Sequence, residues 1–163
     1  MTTTKKAVLS CDPGMGGAVC VLEEGSFDFL EMPRIGKQLD LGALALWIGQ
    51  KRGVIAHAFI EQVGARPGQG VSTMFKFGRC YGAIEGIVAA LGIPYTLVHP
   101  SKWTKEMHAG IEGGQSGKER SALAAARLFP HVDFRPSERC KKPHDGFVDC
   151  ALLAEYGRRK MGL

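Results

Sequence analysis

The chain has no CxxC cysteine pair, no apolar run long enough to span a bilayer, and few aromatic side chains, 8% of its 163 residues. Its five cysteines (Cys11, Cys20, Cys80, Cys140 and Cys150) are an odd number without paired spacing. That excludes a disulfide scaffold and points to reduced thiols in a cytosol-like compartment. Cys140, His144 and Cys150 match no common zinc-ligand spacing, so they read as buried or incidental groups. The longest helix candidate, Val71 to Leu91, is interrupted by Lys76, Arg79 and Glu85, which excludes a membrane span. Met1 to Lys6 is too short and polar for a signal peptide. No internal repeat or domain-sized linker divides the sequence, and the length suits one domain, residues 1–163, able to bury a core of its own. The content, 45% hydrophobic and 23% charged, is that of an ordinary soluble globule.

Positive charge is present in excess and unevenly placed. Residues 1–61 hold six Lys/Arg against seven Asp/Glu, and residues 62–163 hold fifteen against nine. A basic C-terminal two-thirds is natural where the substrate is a polyanion gripped by its phosphates.

Against that background four acids stand out. Asp12 closes the apolar run AVLSCD, Glu61 closes VIAHAFIE, and Asp145 and Asp149 sit one helical turn apart in HDGFVDCALLAEY. None has an obvious salt-bridge partner beside it in sequence. Carboxylates at the ends of hydrophobic strands are desolvated and, where strands lie side by side, repel one another. A hard divalent cation such as Mg²⁺ relieves both problems with oxygen ligands of this kind. The four acids are therefore candidate metal ligands of a phosphoryl-transfer site.

The order of elements places them. Ala7–Asp12, Ala18–Glu23 and Ser26–Met32 read as a meander of three strands. Helical spacing follows in Leu39–Lys51, then a fourth strand in Val54–Glu61. Gln62–Gly70 is a Gly/Pro-rich loop before a long helix, Ser72–Leu91. A fifth strand, Tyr95–His99, precedes helices expected at Ser101–Met107, Lys118–Leu128 and Asp145–Arg159. Helical crossovers force strands 4 and 5 parallel to strand 1, while strands 1 to 3 are antiparallel. The expected architecture is an α/β five-stranded mixed sheet with helices on both faces and a crevice at the carboxyl ends of strands 1 and 4. Asp12 and Glu61 end there, and the last helix needs only to lay its first turn over the crevice to bring in Asp145 and Asp149, which share a face.

CDPGMGGAV, AFIEQV, GAIEGIVAALGIPYTLVHPSKW and HDGFVDCALLAEYG resemble segments of the ribonuclease H-like nucleases, and within them of the RuvC-type Holliday-junction resolvases. SGKERSALAAARLFP resembles the segment carrying a functional lysine in poxvirus and plant chloroplast resolvases. The likeness runs from Val8 to Lys160. It implies a ribonuclease H-like fold, with Asp12, Glu61, Asp145 and Asp149 holding two Mg²⁺ ions (Mn²⁺ able to substitute) and Lys118 as the active-site cation. Bacterial cellular members commonly space the last two acids by three; the spacing of four here is that of the chloroplast type. His144 is a candidate metal ligand or neighbour of one. The resemblance further implies four-way or branched DNA as substrate, a C2 homodimer to make two matched incisions, no nucleotide cofactor, and a cytoplasmic location, a host's if a phage encodes the chain.

Candidate DNA contacts follow from side-chain chemistry. Arg66 and Gln69 sit at the tip of the Gly/Pro-rich loop and can read base edges. Phe75, Phe77 and Tyr81 could wedge into an unstacked junction centre, although at this spacing two of the three read better as core or dimer contact. Lys76, Lys102, Arg135, Arg139, Lys141 and Lys142 are candidate phosphate contacts, and Trp103 follows Lys102 as another residue that could face DNA. Gly78, Gly82 and Gly86 form a smooth stripe that suits either a dimer interface or packing on the sheet. Three other readings are compatible with parts of the sequence. One is a nuclease of the same fold acting on RNA–DNA hybrid or structured RNA. Another is an actin-like or sugar kinase, whose phosphate loop DPGMGG resembles, but which needs two lobes. The last is a catalytically silent junction binder, which would gain affinity by losing the acids.

Overall fold

Alternate residues of the first strand face two different layers of helices, and this alternation decides which side of the sheet receives the acids. In the computed structural model, which describes residues 6–62, 64, 68 and 70–163, that strand is β1 (Ala7–Asp12). It is followed by β2 (Ala18–Glu23), β3 (Ser26–Glu31), β4 (Arg34–Ile35), β5 (Gln38–Leu39), α1 (Leu41–Lys51), β6 (Ile55–Glu61), α2 (Val71–Ala90), β7 (Tyr95–Val98), α3 (Pro100–Met107), α4 (Gly117–Leu128) and α5 (Asp145–Met161). The main sheet has the order β3-β2-β1-β6-β7. β1 pairs antiparallel with β2, and β2 with β3. β6 runs parallel to β1, and β7 parallel to β6. The five strands and their directions are those expected from the sequence, as is the pairing of β6 with β1; the place of β7 beside β6 was not specified by it.

Ala7, Leu9 and Cys11 point into a core shared with Leu44 and Ile48 of α1 and Ile84 and Val88 of α2. Val8 points into the opposite core, with Trp103 and Met107 of α3, Ala124 and Ala125 of α4, and most of the inner residues of α5. Ser10 belongs to this second side, since its hydroxyl donates to the Cys150 carbonyl at 2.7 Å. β6 alternates the same way, with Ala58 and Ile60 on the α1–α2 side and Phe59 on the α5 side. Period two then puts Asp12 and Glu61 on the α5 side, at the carboxyl ends of neighbouring strands.

One element was not expected. β4 and β5 form a small antiparallel ribbon in which Arg34 pairs with Leu39. Leu39 therefore belongs to the ribbon, and the following helix starts at Leu41. Asp40 is its N-cap, accepting from the Ala43 N–H at 3.0 Å. α4 opens with a reciprocal capping box between Ser116 and Glu119.

α5 lies deepest, with ten of its residues buried between the sheet and α3 and α4. Its approach depends on glycine. A Cβ on Gly146 would stand 2.8 Å from the Gly17 carbonyl carbon, and one on Gly157 would stand 2.3 Å from the Phe59 ring. The first close approach fixes the height of the Asp145–Asp149 turn over the β1–β2 turn. Among the described residues, no helix is long and apolar enough to cross a membrane.

Candidate active site

The four acids meet at the carboxyl end of the sheet. Asp12 and Glu61 arrive from β1 and β6, and Asp145 and Asp149 from the first two turns of α5. The Cys150 thiol ties the helix to the strand end. Its sulfur accepts the Asp12 backbone N–H at 3.3 Å and donates to the Ala18 carbonyl at 2.9 Å. Asp12 and Ala18 are the last rung of the β1–β2 ladder, so the thiol bridges the sheet where the two strands part.

Their proximity is written in their electrostatics. Burial pushes the Asp12 carboxyl up to about 8, reinforced by Glu61, Asp149 and Asp145 and opposed only by Lys118. Asp149 is likewise raised, by burial first; a hydrogen bond from Ser121 and the charge of Lys118 oppose the rise, and Asp145 adds to it. Lys118 is raised above the ordinary lysine range by its hydrogen bond and charge contact with Asp145, and further by Asp149 and Asp12. Five groups thus share one field, with four carboxyl groups facing one lysine. Such a set lacks positive charge and offers only oxygen donors on the acids, the chemistry that suits a hard divalent cation. Among the described residues, no three His, Cys, Asp or Glu side chains stand together as a ready-made ion cage; the acids converge without closing. No zinc group is formed by Cys140, His144 and Cys150 either. Cys150 is engaged with Asp12 and Ala18, and Cys140 lies beside Ser137.

Three acids that looked partnerless in sequence are held. Lys118 Nζ lies 2.5 Å from Asp145 Oδ2, which brings the expected active-site cation to the acids. Trp103 Nε1 donates to Glu61 Oε2 at 2.8 Å. Trp103 is only 3% exposed, so it does not face DNA: helix α3 turns its indole inward because its apolar face is needed in the α5 core. Ser121, a buried hydroxyl on α4, bonds Asp149, and His108 Nε2 lies 3.1 Å from Ser121 Oγ. The sequence reading missed the roles of Trp103, Ser121 and His108. The one available signal was a serine on the inward face of a helix, where a hydroxyl needs a partner.

The outer candidates divide. Lys142 lines a cleft of about 150 Å³ together with Lys118, Ser121, Asp145 and Asp149. Arg139 and Lys141 are exposed in the same loop. Arg135 is engaged by Asp133 through two guanidinium nitrogens, at 2.7 to 3.1 Å. Lys102 borders a different cleft at the β7 edge, with Tyr156 and Lys160 from the far half of α5. Phe75 is 73% exposed at the start of α2, whereas Phe77 and Tyr81 are half-buried. Lys76 is exposed beside a groove with Lys37 and Arg79. Arg66 and Gln69 lie outside the described residues. Gly78, Gly82 and Gly86 are exposed, with open space where their side chains would be, so the stripe faces away from the sheet. His144 caps α5, its ring against Phe147, and its buried Nδ1 has no hydrogen-bond partner among the described residues. A cleft of about 700 Å³ is lined by Leu22, Leu128, Phe129 and Leu163, among others, and includes none of the four acids.

A mixed sheet ordered β3-β2-β1-β6-β7, with helices on both faces and acids at the carboxyl ends of β1 and β6, defines a ribonuclease H-like fold. No family model and no curated protein sequence matches the chain. Among solved structures it is similar to Thermus thermophilus RuvC in complex with a Holliday-junction substrate, with a TM-score of 0.62 and 15% identity over 96% of both chains. It is similar also to the structure of Thermus thermophilus RuvC, with a TM-score of 0.60 and 19% identity over 96% of both chains. The fold is that of the RuvC resolvases along almost the whole length.

Proposed function

We propose that the chain is a Holliday-junction resolvase, a divalent-metal-dependent, structure-selective DNA endonuclease that makes paired symmetric nicks in four-way junctions. The observation that carries this reading is the shared field of Asp12, Glu61, Asp145, Asp149 and Lys118, in which Asp12 is pushed up to about 8 by burial first and by the neighbouring acids second. A fold shared with a RuvC seen on a Holliday junction supports the choice of substrate.

The roles follow from position. Asp12, Glu61, Asp145 and Asp149 hold the cations through carboxylate oxygens. Bound Mg²⁺, two ions per site and replaceable by Mn²⁺, supplies activation of the attacking water and stabilisation of the leaving 3′ oxygen. Lys118, on the rim against Asp145, meets the charge that builds on the phosphoryl oxygens. Lys142 in the same cleft, with Arg139 and Lys141 next to it, grips the phosphates flanking the cut. Arg135 is a weaker candidate, because Asp133 already takes its fork. Phe75, large and exposed, is the aromatic placed to stack on an unpaired base, and the open glycine stripe of α2 is where a second copy would lie to give the two-fold dimer that paired nicking needs.

The test offers purified protein with Mg²⁺ a labelled four-way junction, linear duplex, flap and RNA–DNA hybrid, with Asp149→Asn alongside. Paired nicks in the junction alone, lost in the Asn variant while junction binding persists, are expected. Cutting of the hybrid instead would move the substrate to RNA-containing duplexes, and tight junction binding without any cutting would make the protein a silent binder.

A further inference from the structure

Behind the acids runs a continuous line of side chains, buried at Trp103 and Ser121 and half-buried at His108, that the chemistry above does not use. Trp103 Nε1 donates to Glu61 at 2.8 Å. The Trp103 ring meets His108 edge-on, centroids 6.1 Å apart at 79°. His108 Nε2 lies 3.1 Å from Ser121 Oγ, and Ser121 lines the same cleft as Asp149, whose charged form its hydrogen bond favours. An ionised carboxylate only accepts, so the Ser121 hydroxyl donates to Asp149 and its oxygen is left to accept from His108 Nε2–H. Burial, with Arg120 nearby, lowers His108 below the ordinary histidine range, in keeping with a neutral ring that donates through one nitrogen. Two acids from different elements are thereby held from the same side: Glu61 on β6 by Trp103 of α3, and Asp149 on α5 by Ser121 of α4, backed by His108 at the C-cap of α3.

We propose that Trp103 and the His108–Ser121 pair are positioning residues that hold Glu61 and Asp149 in cation-binding orientation, making α3 and α4 together the back wall of the metal site. The inference rests on the proposed function. A carboxylate held by a rigid, buried donor loses less freedom when it takes a cation, and outer hydrogen bonds of this kind commonly govern metal affinity. Trp103 suits the task, since an indole N–H donates only and its packed ring leaves one direction for the bond.

The test separates holding from mere packing. Trp103→Phe keeps the ring and removes the N–H; Ser121→Ala removes the hydroxyl; His108→Ala removes the donor, and His108→Gln restores an N–H in its place. Mn²⁺ binding to the DNA-free protein is read from the electron paramagnetic resonance signal of the free ion. Junction nicking gives kcat and KM, and thermal melting monitors the fold. Trp103→Phe, Ser121→Ala and His108→Ala are each expected to weaken Mn²⁺ binding about tenfold and to lower kcat with KM unchanged, and His108→Gln to recover most of both. Variants that bind Mn²⁺ and nick like the parent would overturn the inference, as would a His108→Gln protein no better than His108→Ala. If the parent protein itself binds no Mn²⁺ and cuts nothing, the proposed function falls and takes this inference with it. Parent activity with unaffected variants sinks the inference alone.

Discussion

An aspartate held at about 8 keeps its proton through most of the neutral range, and this has a thermodynamic consequence at the scale of one residue. Unfolded, Asp12 ionises near its ordinary value of 3.8; folded, near 8. Between those values the folded chain carries a proton that the unfolded chain lacks, so stability falls as pH rises through the window. The slope contributed by one group is at most about 1.4 kcal/mol per pH unit. Melting curves of the metal-free protein from pH 5 to 8 should show this decline, and Asp12→Asn should flatten it. An Asn variant with the parent's slope would place the titrating group elsewhere. The four acids were legible in sequence because each ends an apolar segment. Their partners were not: Trp103 lies 42 positions from Glu61, and Ser121 13 from His108. No local pattern records a meeting of that kind, and tryptophan beside lysine after a strand reads equally well as surface or core.

Among the elements, α5 decides whether there is a site. Its inner residues make up much of one core layer, and Gly146 lets its first turn rest on the Gly17 backbone. Gly146→Ala inserts a methyl group where 2.8 Å is available to a carbonyl carbon, which costs about 1–3 kcal/mol if the helix shifts to make room. That shift moves Asp145 and Asp149 relative to Asp12, so nicking should fall further than the loss in melting temperature explains, as kcat measured well below the melting range would show. Strands of six or seven residues with clear alternation, and helices with apolar faces, were legible in the spacing of their hydrophobic side chains. The β4–β5 ribbon was not, because two-residue strands contain less than one full period of anything. The outward direction of the α2 glycine stripe was equally hidden, since close packing and open space call for the same small residues.

For the whole molecule the relevant quantity is the separation of charge between an acidic pocket and a basic surround. Residues 62–163 carry fifteen Lys/Arg against nine Asp/Glu, and Lys141 and Lys142 stand exposed just before α5. Junction affinity should fall steeply with salt, and replacing both lysines by alanine should lower the slope of log affinity against log salt by about 2, one for each phosphate no longer neutralised. A titration at several salt concentrations, in Ca²⁺ to suppress cutting, reads it directly; an unchanged slope would remove these lysines from the interface.

The burial of α5 also has a consequence in time. Its two acids are made more than 130 residues after Asp12, and the same helix covers one apolar face of the sheet. A chain still emerging from the ribosome without residues 145–161 holds half a set of acids and an uncovered hydrophobic surface, so its acid cluster is incomplete while it is most in need of protection from aggregation. Completion of the core and completion of the acid cluster become one event, and the proposed nuclease activity cannot precede the finished fold.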